Sequence, residues 1–529
     1  MESLRAIITH CCSSEAGGYT PSDFPLARLN QRELDELLKG ARNLEDVYAL
    51  APMQAGMLFH ALYSPDSAAY CMQTSCTIRG ALDMGAFENA WQHVVRRHPI
   101  LRTAFPSDHG SEGVQIVHRD VDAKISSQDW RDLSSDQRAT ELARFREADR
   151  TRAFDLFSPP LFRLAIFQVG EDRYECVWTY HHLVLDGWSA YLVLKEVFAS
   201  YGAFCSGEEL QLAKVRPYAD YIAWLHQKDL SGAEVFWRQT LRAFVRPTRL
   251  TQEAAAGNVP GETGEDGEAY DEERIKLSAT ETTALQNFTR QHRLTMNSLV
   301  QGAWALVLNH YDRSNDVLFG ATVTGRPPEL AGVESMVGVF INTLPVRVQI
   351  SPDEPLRSWL SKLQDQQTEQ HRYEHTPLMR IQEWSELSSR VALFESIMVF
   401  ENFPTDFSLR QQHGGLQILN VHSAINENYP LIIVVDPIPE LSIHIKYDRS
   451  RFPGASISQM LRGVEMILRA SVAHADSPVR DVENALSRFL DRDRLRTHRA
   501  RKAANLRKLQ NMTGKAPRVS IDGNGNSGN

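Results

Sequence analysis

The segment YECVWTYHHLVLDGWSAY at residues 174–191 holds the residue types best suited to chemistry in this chain. His181 and His182 are adjacent, and Asp186 and Gly187 follow them. An imidazole titrates near neutral pH, so a single histidine projecting into a cavity, here His182, can take or orient a proton. The side chains of His181, His182 and Asp186 could also bind a metal ion. However, adjacent residues at a strand end point to opposite faces and rarely reach one ion. The structural alternative is one histidine in the core and an aspartate that caps a helix.

Two elements must position these side chains. Aromatic and apolar residues alternate with other types from Tyr174 to Tyr180, which predicts a partly buried strand that ends at the histidines. After Gly187 the apolar residues recur at three- and four-residue spacing up to Phe198, as in an amphipathic helix. We expect Gly187 to let the backbone turn sharply between strand and helix.

Composition limits the class of protein. A chain of 529 residues exceeds what one hydrophobic core usually organises, so two lobes are expected. Hydrophobic residues make up 42% and charged residues 23%, as in ordinary globular proteins, and the net charge of −9 gives no basic surface for nucleic acid. The 6 cysteines form neither a disulfide framework nor C-x-x-C metal pairs. With no membrane span and no signal peptide, we expect a cytoplasmic protein.

Composition shifts divide the chain into four regions. Residues 1–43 look like a linker with a short helix near 29–38, and 44–220 is a first lobe that holds the histidines. The second lobe, 221–480, contains an acidic, glycine-rich stretch at 252–269 that predicts a flexible loop. The tail at 481–529 carries nine Lys/Arg against two Asp between 488 and 508, which favours a solvated helix or docking segment, and then a disordered end.

The pattern H-H-x-x-x-D-G, which stands at 181–187, resembles the signature of the condensation domains of nonribosomal peptide synthetases. Further segments resemble this family in the family's order over residues 20–480. They are LAPMQAGMLFHALYSP (50–65), LDMGAFENAWQHVVRRHPILRTAF (82–105), RPYADYIAWL (216–225), TGRPPELAGVESMVGVFINTLPVRV (324–348), HTPLMRIQEWSE (375–386), LFESIMVFENFP (393–404) and YPLIIVV (429–435).

The resemblance implies an α/β fold of two chloramphenicol-acetyltransferase-like lobes, arranged as a V-shaped pseudo-dimer with a central tunnel. The implied reaction is attack by an acceptor amine on a donor acyl or peptidyl thioester, which forms an amide. Donor and acceptor carrier proteins, peptidyl or aryl, would present both substrates on phosphopantetheine arms. The domain itself would bind no cofactor, metal, nucleic acid or membrane, and we expect a monomer.

The resemblance also assigns site residues. His182 would accept a hydrogen bond from the amine, and the N–H of Gly187 would donate to the oxyanion. His181 would be buried and structural, and Asp186 would hold the loop by pairing with Arg326, with Arg102 as the fallback partner. Candidates for core or tunnel wall are Trp188, Ser189, Phe340 and Asn342.

The sequence leaves the subtype of condensation domain open. The opening PMQAGMLFH resembles condensation domains that accept a D-configured donor or are of the dual type, although Ala55 replaces a common glutamate. Epimerization domains share the H-H-x-x-x-D-G pattern, and a catalytically silent docking domain is a further alternative. We find no resemblance to an adenylation or carrier domain. The chain is therefore expected to be a free-standing or excised condensation protein of antibiotic or siderophore biosynthesis.

Overall fold

The structure is a computed structural model of the chain. It describes residues 5, 9, 18–38, 43–63, 68–106, 113–250, 270–388, 391–401, 414–425, 429–437 and 439–513, with side chains up to 496. These residues fall into two compact units. The first unit comprises Met1–Pro247, Phe319–Val346 and Thr368–Pro430, and the second comprises Thr248–Leu318, Arg347–Gln367 and Leu431–Asn529.

The helices and strands alternate along the described chain, which makes the fold mixed α/β. In chain order they are α1 (Gln31–Leu38), β1 (Leu44–Ala49), α2 (Pro52–Tyr63), β2 (Cys71–Arg79), α3 (Met84–Arg97), β3 (Thr103–Ala104), β4 (Val114–His118), β5 (Ile125–Asp129), α4 (Ser135–Arg150), β6 (Phe162–Gly170), β7 (Arg173–His181), α5 (Gly187–Ser206), α6 (Ala219–His226), α7 (Ser231–Thr240), β8 (Tyr270–Lys276), α8 (Ala279–His292), α9 (Met296–Asp312), β9 (Asp316–Val323), β10 (Asn342–Gln349), α10 (Leu356–Gln370), α11 (Leu378–Trp384), β11 (Ser396–Phe400), β12 (Gln417–Ile425), β13 (Leu431–Asp436), β14 (Ser442–Asp448), α12 (Gly454–Ala473) and α13 (Val479–Thr513).

A five-stranded sheet in the order β12-β2-β7-β6-β5 forms the centre of the first unit. Strand β7 runs antiparallel to both β2 and β6, and its last residue, His181, pairs with Cys71. Only β5 runs parallel to its neighbour. Because β7 is an inner strand of the sheet, the backbone that leads to the histidines is held from both sides.

Helices α3 and α5 cover this sheet. The Phe87 ring of α3 lies 6.2 Å from the rings of both Phe198 and Tyr201 on α5, and Trp91 lies 5.2 Å from Trp178 of β7. All five side chains are buried. Packing of α3 against the aromatic residues of both α5 and β7 therefore fixes the two elements that flank the histidines.

Two smaller strand groups complete the first unit. Strands β1, β4 and β3 form an antiparallel sheet in the order β1-β4-β3. Strand β11 runs parallel to β9, with Ile397 opposite Gly320 and Met398 opposite Ala321. Strand β10 is the other neighbour of β9. The first of these groups carries Gln115, whose side chain is hydrogen-bonded to Gln54 of α2.

The second unit contains the antiparallel ladder β13-β14-β8 and the helices that pack beside it. Helix α9 is buried along almost its whole length. Glycines allow close packing here, since a Cβ added at Gly302 would lie 2.4 Å from Leu360 and one at Gly463 would lie 3.4 Å from Val307. This unit thus has a core of its own.

The structure tests several of the elements that the sequence predicted. The strand up to His181 and the helix from Gly187 are confirmed, as is the short helix near 29–38. The basic segment after 488 lies in helix α13 as far as Thr513, and its role as a solvated helix or a docking segment stays a prediction. The predicted loop at 252–269 and the final residues, 514–529, lie outside the described residues. The four predicted regions, the V-shaped arrangement and the tunnel stay predictions.

Candidate active site

The loop that carries the histidines joins the end of β7 to the start of α5. The backbone N–H of His181 donates to the Leu161 carbonyl at 2.9 Å, and that of His182 donates to the Tyr70 carbonyl at 2.9 Å. Tyr70 has a φ of 61°, a left-handed conformation that is uncommon for a bulky residue. The loop backbone is therefore fixed at both histidines.

His181 is a buried, neutral histidine. Its side chain lines a cavity of about 130 Å³ together with Cys71 and Phe154, and His182 does not line that cavity. Its Nδ1 accepts the N–H of Leu183 at 3.1 Å, so this nitrogen carries no proton. Burial, with a further contribution from the neighbouring His182, lowers the pKa of His181 to about 3. The geometry gives His181 a structural position.

His182 is half-buried and has a different environment. Its Nδ1 is buried and makes no hydrogen bond of normal geometry to any residue that the structure describes. Burial lowers the pKa of His182, while the Asp186 carboxylate and the carbonyls of His182 and Leu185 act in the opposite direction. The imidazole is therefore neutral at neutral pH and retains a nitrogen lone pair that can accept a proton.

Asp186 is fully buried and is the N-cap of α5. Its Oδ1 accepts the N–H of Ser189 at 2.7 Å, and its Oδ2 accepts the N–H of Phe340 at 3.0 Å. Its own N–H donates to the Gly338 carbonyl at 3.2 Å. The carboxylate thus joins the first turn of α5 to the segment 338–340, which is far away in sequence.

Arg326 completes this network. Its Nη2 lies 3.5 Å from Asp186 Oδ1 and donates to Ser189 Oγ at 2.8 Å. Its Nη1 donates to the carbonyls of Val333 at 2.5 Å and Met336 at 2.9 Å. Burial lowers the pKa of Arg326 and the Asp186 charge opposes that shift; a guanidinium nevertheless stays charged in proteins. The contact that the resemblance implied between Asp186 and Arg326 is present.

Arg102, the predicted fallback partner of Asp186, makes other contacts. Arg102 donates to Glu45 Oε2 at 2.6 Å and to the Val95 carbonyl at 3.0 Å. Its guanidinium is therefore committed to β1 and the end of α3, and the fallback pairing with Asp186 is wrong.

Comparisons with known proteins agree with this geometry. The family described as "Condensation domain" matches residues 44–490 of the chain. The chain belongs to the condensation-domain family. One linear gramicidin synthase protein of Brevibacillus parabrevis is 45% identical over 91% of this chain, and a second protein of the same synthase is 44% identical over 88%. The chain spans only 6% and 9% of the lengths of these two relatives.

Solved structures share the fold. A mutant starter condensation domain of rhizomide synthetase RzmA, in complex with C8-CoA and Leu-SNAC, matches with a TM-score of 0.68 and 20% identity, covering 82% of this chain and 96% of that one. A four-domain nonribosomal peptide synthetase bound to AMP and glycine matches at 0.69 and 19%, covering 84% and 35%. The condensation domain therefore has the α/β fold with chloramphenicol-acetyltransferase-like lobes, and the reaction of its family is amide bond formation.

Gly187 lies at the first position of helix α5 of the condensation domain, and its backbone is helical. It is not one of the glycines with positive φ, so the expected sharp turn at Gly187 is wrong. The turn is made by the preceding residues, since Asp186 has extended backbone and caps the helix. The N–H of Gly187 belongs to the first turn, where no intrahelical acceptor exists.

The four candidates for the tunnel wall divide into two groups. Ser189, Phe340 and Asn342 are buried, and each is held by specific contacts. Ser189 Oγ donates to the Gly338 carbonyl at 2.8 Å, Phe340 packs under the Arg326 guanidinium at 4.0 Å, and Asn342 Nδ2 donates to the carbonyl of residue 376 at 2.7 Å. Only Trp188 of the four is partly exposed, and its Nε1 donates to the Glu334 carbonyl at 2.9 Å.

Two glycines and a tyrosine near the site were not identified from the sequence. A Cβ at Gly325 would lie 1.8 Å from the Phe340 oxygen, and Gly325 has a φ of 58°. A Cβ at Gly338 would lie 2.1 Å from the Tyr218 ring, whose hydroxyl donates to the Val339 carbonyl at 2.5 Å. These residues hold the segment that Asp186 binds. In the sequence, Gly325 lies in TGRPPE, Tyr218 in RPYADY and Gly338 in VGVF. These segments carry the family resemblance, and that was the signal from which the three residues could have been found.

Gln54 is a further residue that sequence reasoning missed. It is fully buried in α2, and its Nε2 donates to the Leu183 carbonyl at 2.9 Å. Gln54 lies within the segment LAPMQAGM, which sequence reasoning used for the resemblance and gave no chemical role. The contact joins that segment to the residue that follows His182.

Membrane-spanning helices and metal-binding clusters are both absent from the part of the chain that the structure describes. None of the helices described is long and apolar enough to cross a membrane. Across the same residues, no group of three or more His, Cys, Asp or Glu side chains is arranged to hold a metal ion.

Proposed function

We propose that His182 is the catalytic residue of this condensation domain. Its Nε2 accepts a hydrogen bond from the attacking amine and orients the nitrogen lone pair towards the thioester carbonyl. As the C–N bond forms, His182 takes up the amine proton, the C–S bond breaks and the thiol of the donor carrier leaves. The supporting observation is that the His182 ring is half-buried, whereas the adjacent His181 ring is buried and its Nδ1 already accepts the N–H of Leu183.

The Gly187 N–H stabilises the oxyanion in this proposal. Attack on a thioester places negative charge on the carbonyl oxygen, and a helix N-terminus offers an N–H and a positive dipole end to such a charge. Strong base catalysis is not needed, because a thioester is activated and the amine of an aminoacyl thioester is less basic than an ordinary α-amine of pKa about 7.7–8.0. Holding both reactants together supplies the larger share of the rate.

Donor and acceptor arrive, in our proposal, on the phosphopantetheine arms of two carrier proteins. The C8-CoA and Leu-SNAC named with the RzmA structure are thioester-type ligands of that protein and support this assignment by analogy. We further propose that the domain acts as a cytoplasmic monomer without nucleic acid, within antibiotic or siderophore assembly. Of the two kinds of assembly, the 45% identity to a linear gramicidin synthase protein supports antibiotic assembly.

The direct test mixes the protein with separately loaded donor and acceptor carriers and follows the elongated product by intact mass. The wild type should transfer the donor to the acceptor amine. His182→Ala should lower turnover by a factor of about 10² or more, with an unchanged melting temperature. Substantial amide formation by the folded His182→Ala protein would overturn the proposed role, and absence of product with all wild-type carrier pairs would favour a silent docking domain.

The donor subtype needs a second comparison. We propose a donor that ends in a D-configured residue, as the resemblance of PMQAGMLFH suggests. Two otherwise identical donor carriers, one with a D-terminal and one with an L-terminal peptidyl group, should differ in transfer rate in favour of the D form. Equal rates, or a preference for the L form, would contradict the subtype.

A further inference from the structure

The buried side chains of Gln54 and Gln115 form an amide pair beneath the catalytic loop. Gln115 Nε2 donates to Gln54 Oε1 at 2.9 Å, and Gln54 Nε2 lies 3.2 Å from Gln115 Oε1. Both side chains are fully buried. Two primary amides inside a core are costly unless their donors and acceptors find partners, so such a pair marks a position where polar groups are needed.

Each remaining contact of the pair goes to a different element. Gln54 Oε1 accepts the N–H of Ala51 at 2.9 Å, which closes the start of α2. Gln115 Nε2 donates to the Ala49 carbonyl at 3.1 Å at the end of β1. Gln54 Nε2 donates to the Leu183 carbonyl at 2.9 Å. Of these contacts, the last one reaches the loop between β7 and α5.

The Leu183 carbonyl belongs to the residue directly after His182. The neighbouring N–H groups are also bonded. Before this carbonyl, His182 N–H donates to the Tyr70 carbonyl and Leu183 N–H donates to His181 Nδ1; after it, Val184 N–H donates to the His181 carbonyl at 3.1 Å. The contact from Gln54 orients the carbonyl of Leu183, and with it the peptide plane after Leu183. We propose that Gln54 is a positioning residue for His182, which sets the direction of the imidazole by holding this peptide. The inference rests on the proposed role of His182.

A loss of this contact should act on chemistry more than on binding. Gln54 is buried and touches the loop backbone, so its removal leaves the surface that substrates meet unchanged. A displacement of a catalytic group by about 1 Å can cost roughly 100-fold in rate. We therefore expect kcat to fall while KM for both loaded carriers changes less than about twofold.

The sharpest variant is Gln54→Glu. A carboxylate at this position keeps the acceptor for Ala51 and Gln115 and removes the donor to Leu183. Gln115→Glu is the matched control, since it places the same carboxylate in the same buried pair and leaves the Gln54 donor in place. Gln92→Glu is a second control, because Gln92 holds the Val121 carbonyl at 2.9 Å and has no part in the catalytic loop.

The readout that separates positioning from mere folding is the imidazole resonance of His182. In protein labelled with ¹³C-histidine, this resonance is assigned by its disappearance in His182→Ala. Gln54→Glu should shift it and lower kcat by roughly 10- to 100-fold. Gln115→Glu and Gln92→Glu should leave the resonance in place and keep most of kcat.

The outcomes distinguish the two proposals. An unmoved resonance in folded Gln54→Glu, or an equal shift in Gln115→Glu, would overturn the inference about Gln54. A shifted resonance without a loss of kcat would instead overturn the proposed role of His182. If the buried carboxylate prevents folding, the double variant Gln54→Met/Gln115→Met carries the same test, because it removes both amides and adds no charge.

Discussion

Two buried ion pairs in the first unit have similar chemistry and different surroundings. Arg326 and Asp186 expose 7% and 0% of their side chains, and the pair joins the catalytic loop to the segment 333–340. Arg163 and Asp149 expose 19% and 10%, with Arg163 Nε 2.7 Å from Asp149 Oδ1. That second pair joins β6 to the end of α4 and does not contact residues 182–189 in the described structure.

The two ion pairs should differ in their effect on catalysis and resemble each other in their effect on stability. Both carboxylates are satisfied by more than their arginine, since Asp149 also accepts the Thr179 hydroxyl and Asp186 accepts two backbone N–H groups. A loss of either pair should therefore destabilise the fold. Only the loss of the Asp186 pair should also move the residues next to His182.

The largest effect is expected for Asp186→Asn. The substitution leaves the Arg326 charge buried and weakens the cap of α5, at a cost of about 3–5 kcal/mol in unfolding free energy. Folded yield and turnover should both fall. Denaturant unfolding and the carrier transfer assay measure the two quantities, and a variant as stable as the wild type would contradict the assignment of Asp186 as the residue that holds the loop.

A smaller effect is expected for Asp149→Asn. The partly exposed Arg163 can recover some hydration and also packs over the Phe154 ring at 3.9 Å, so the cost should be about 1–3 kcal/mol. Turnover per folded molecule should stay near that of the wild type. A fall in turnover equal to that of Asp186→Asn would remove the distinction between the two pairs.

The pH dependence of stability offers a third test, at His181. The pKa of about 3 in the folded state lies below the ordinary value near 6.5, so the unfolded chain binds the additional proton between these two values. Stability from this residue is complete above pH 6.5 and falls as the pH drops towards 3, by at most about 1.4 kcal/mol per pH unit. His181→Asn should lose this slope in urea unfolding measured from pH 7 to pH 5. An unchanged slope would mean that the pKa of His181 does not change on folding, which would contradict the buried, neutral state.

The smallest effect is expected for Trp188→Phe. The substitution removes the hydrogen bond from Nε1 to the Glu334 carbonyl and keeps most of the aromatic packing, at a cost of about 0.5–1.5 kcal/mol. Turnover should change little, because the Asp186 and Arg326 contacts are retained. A loss of turnover as large as that of Asp186→Asn would show that Trp188 contributes to the reaction itself.

Local sequence patterns predicted the elements around the site well. The alternation that ends at Tyr180 and the helical spacing after Gly187 depend on short-range periodicity, and the strand and helix formed where these patterns indicated. The predicted turn at Gly187 was wrong because capping by Asp186 makes the turn without left-handed backbone. Gln54 was missed because its partner, Gln115, is 61 residues away.

The sequence by itself determined the family, the strand–loop–helix unit and the candidate residues His182 and Asp186, because these depend on residue order over a few turns of chain. Only the tertiary structure decided which histidine is buried, which arginine contacts Asp186 and which side-chain amide donates to the Leu183 carbonyl. These outcomes depend on packing between elements that are distant in sequence, and burial then sets the protonation and the hydrogen-bond partners of each side chain.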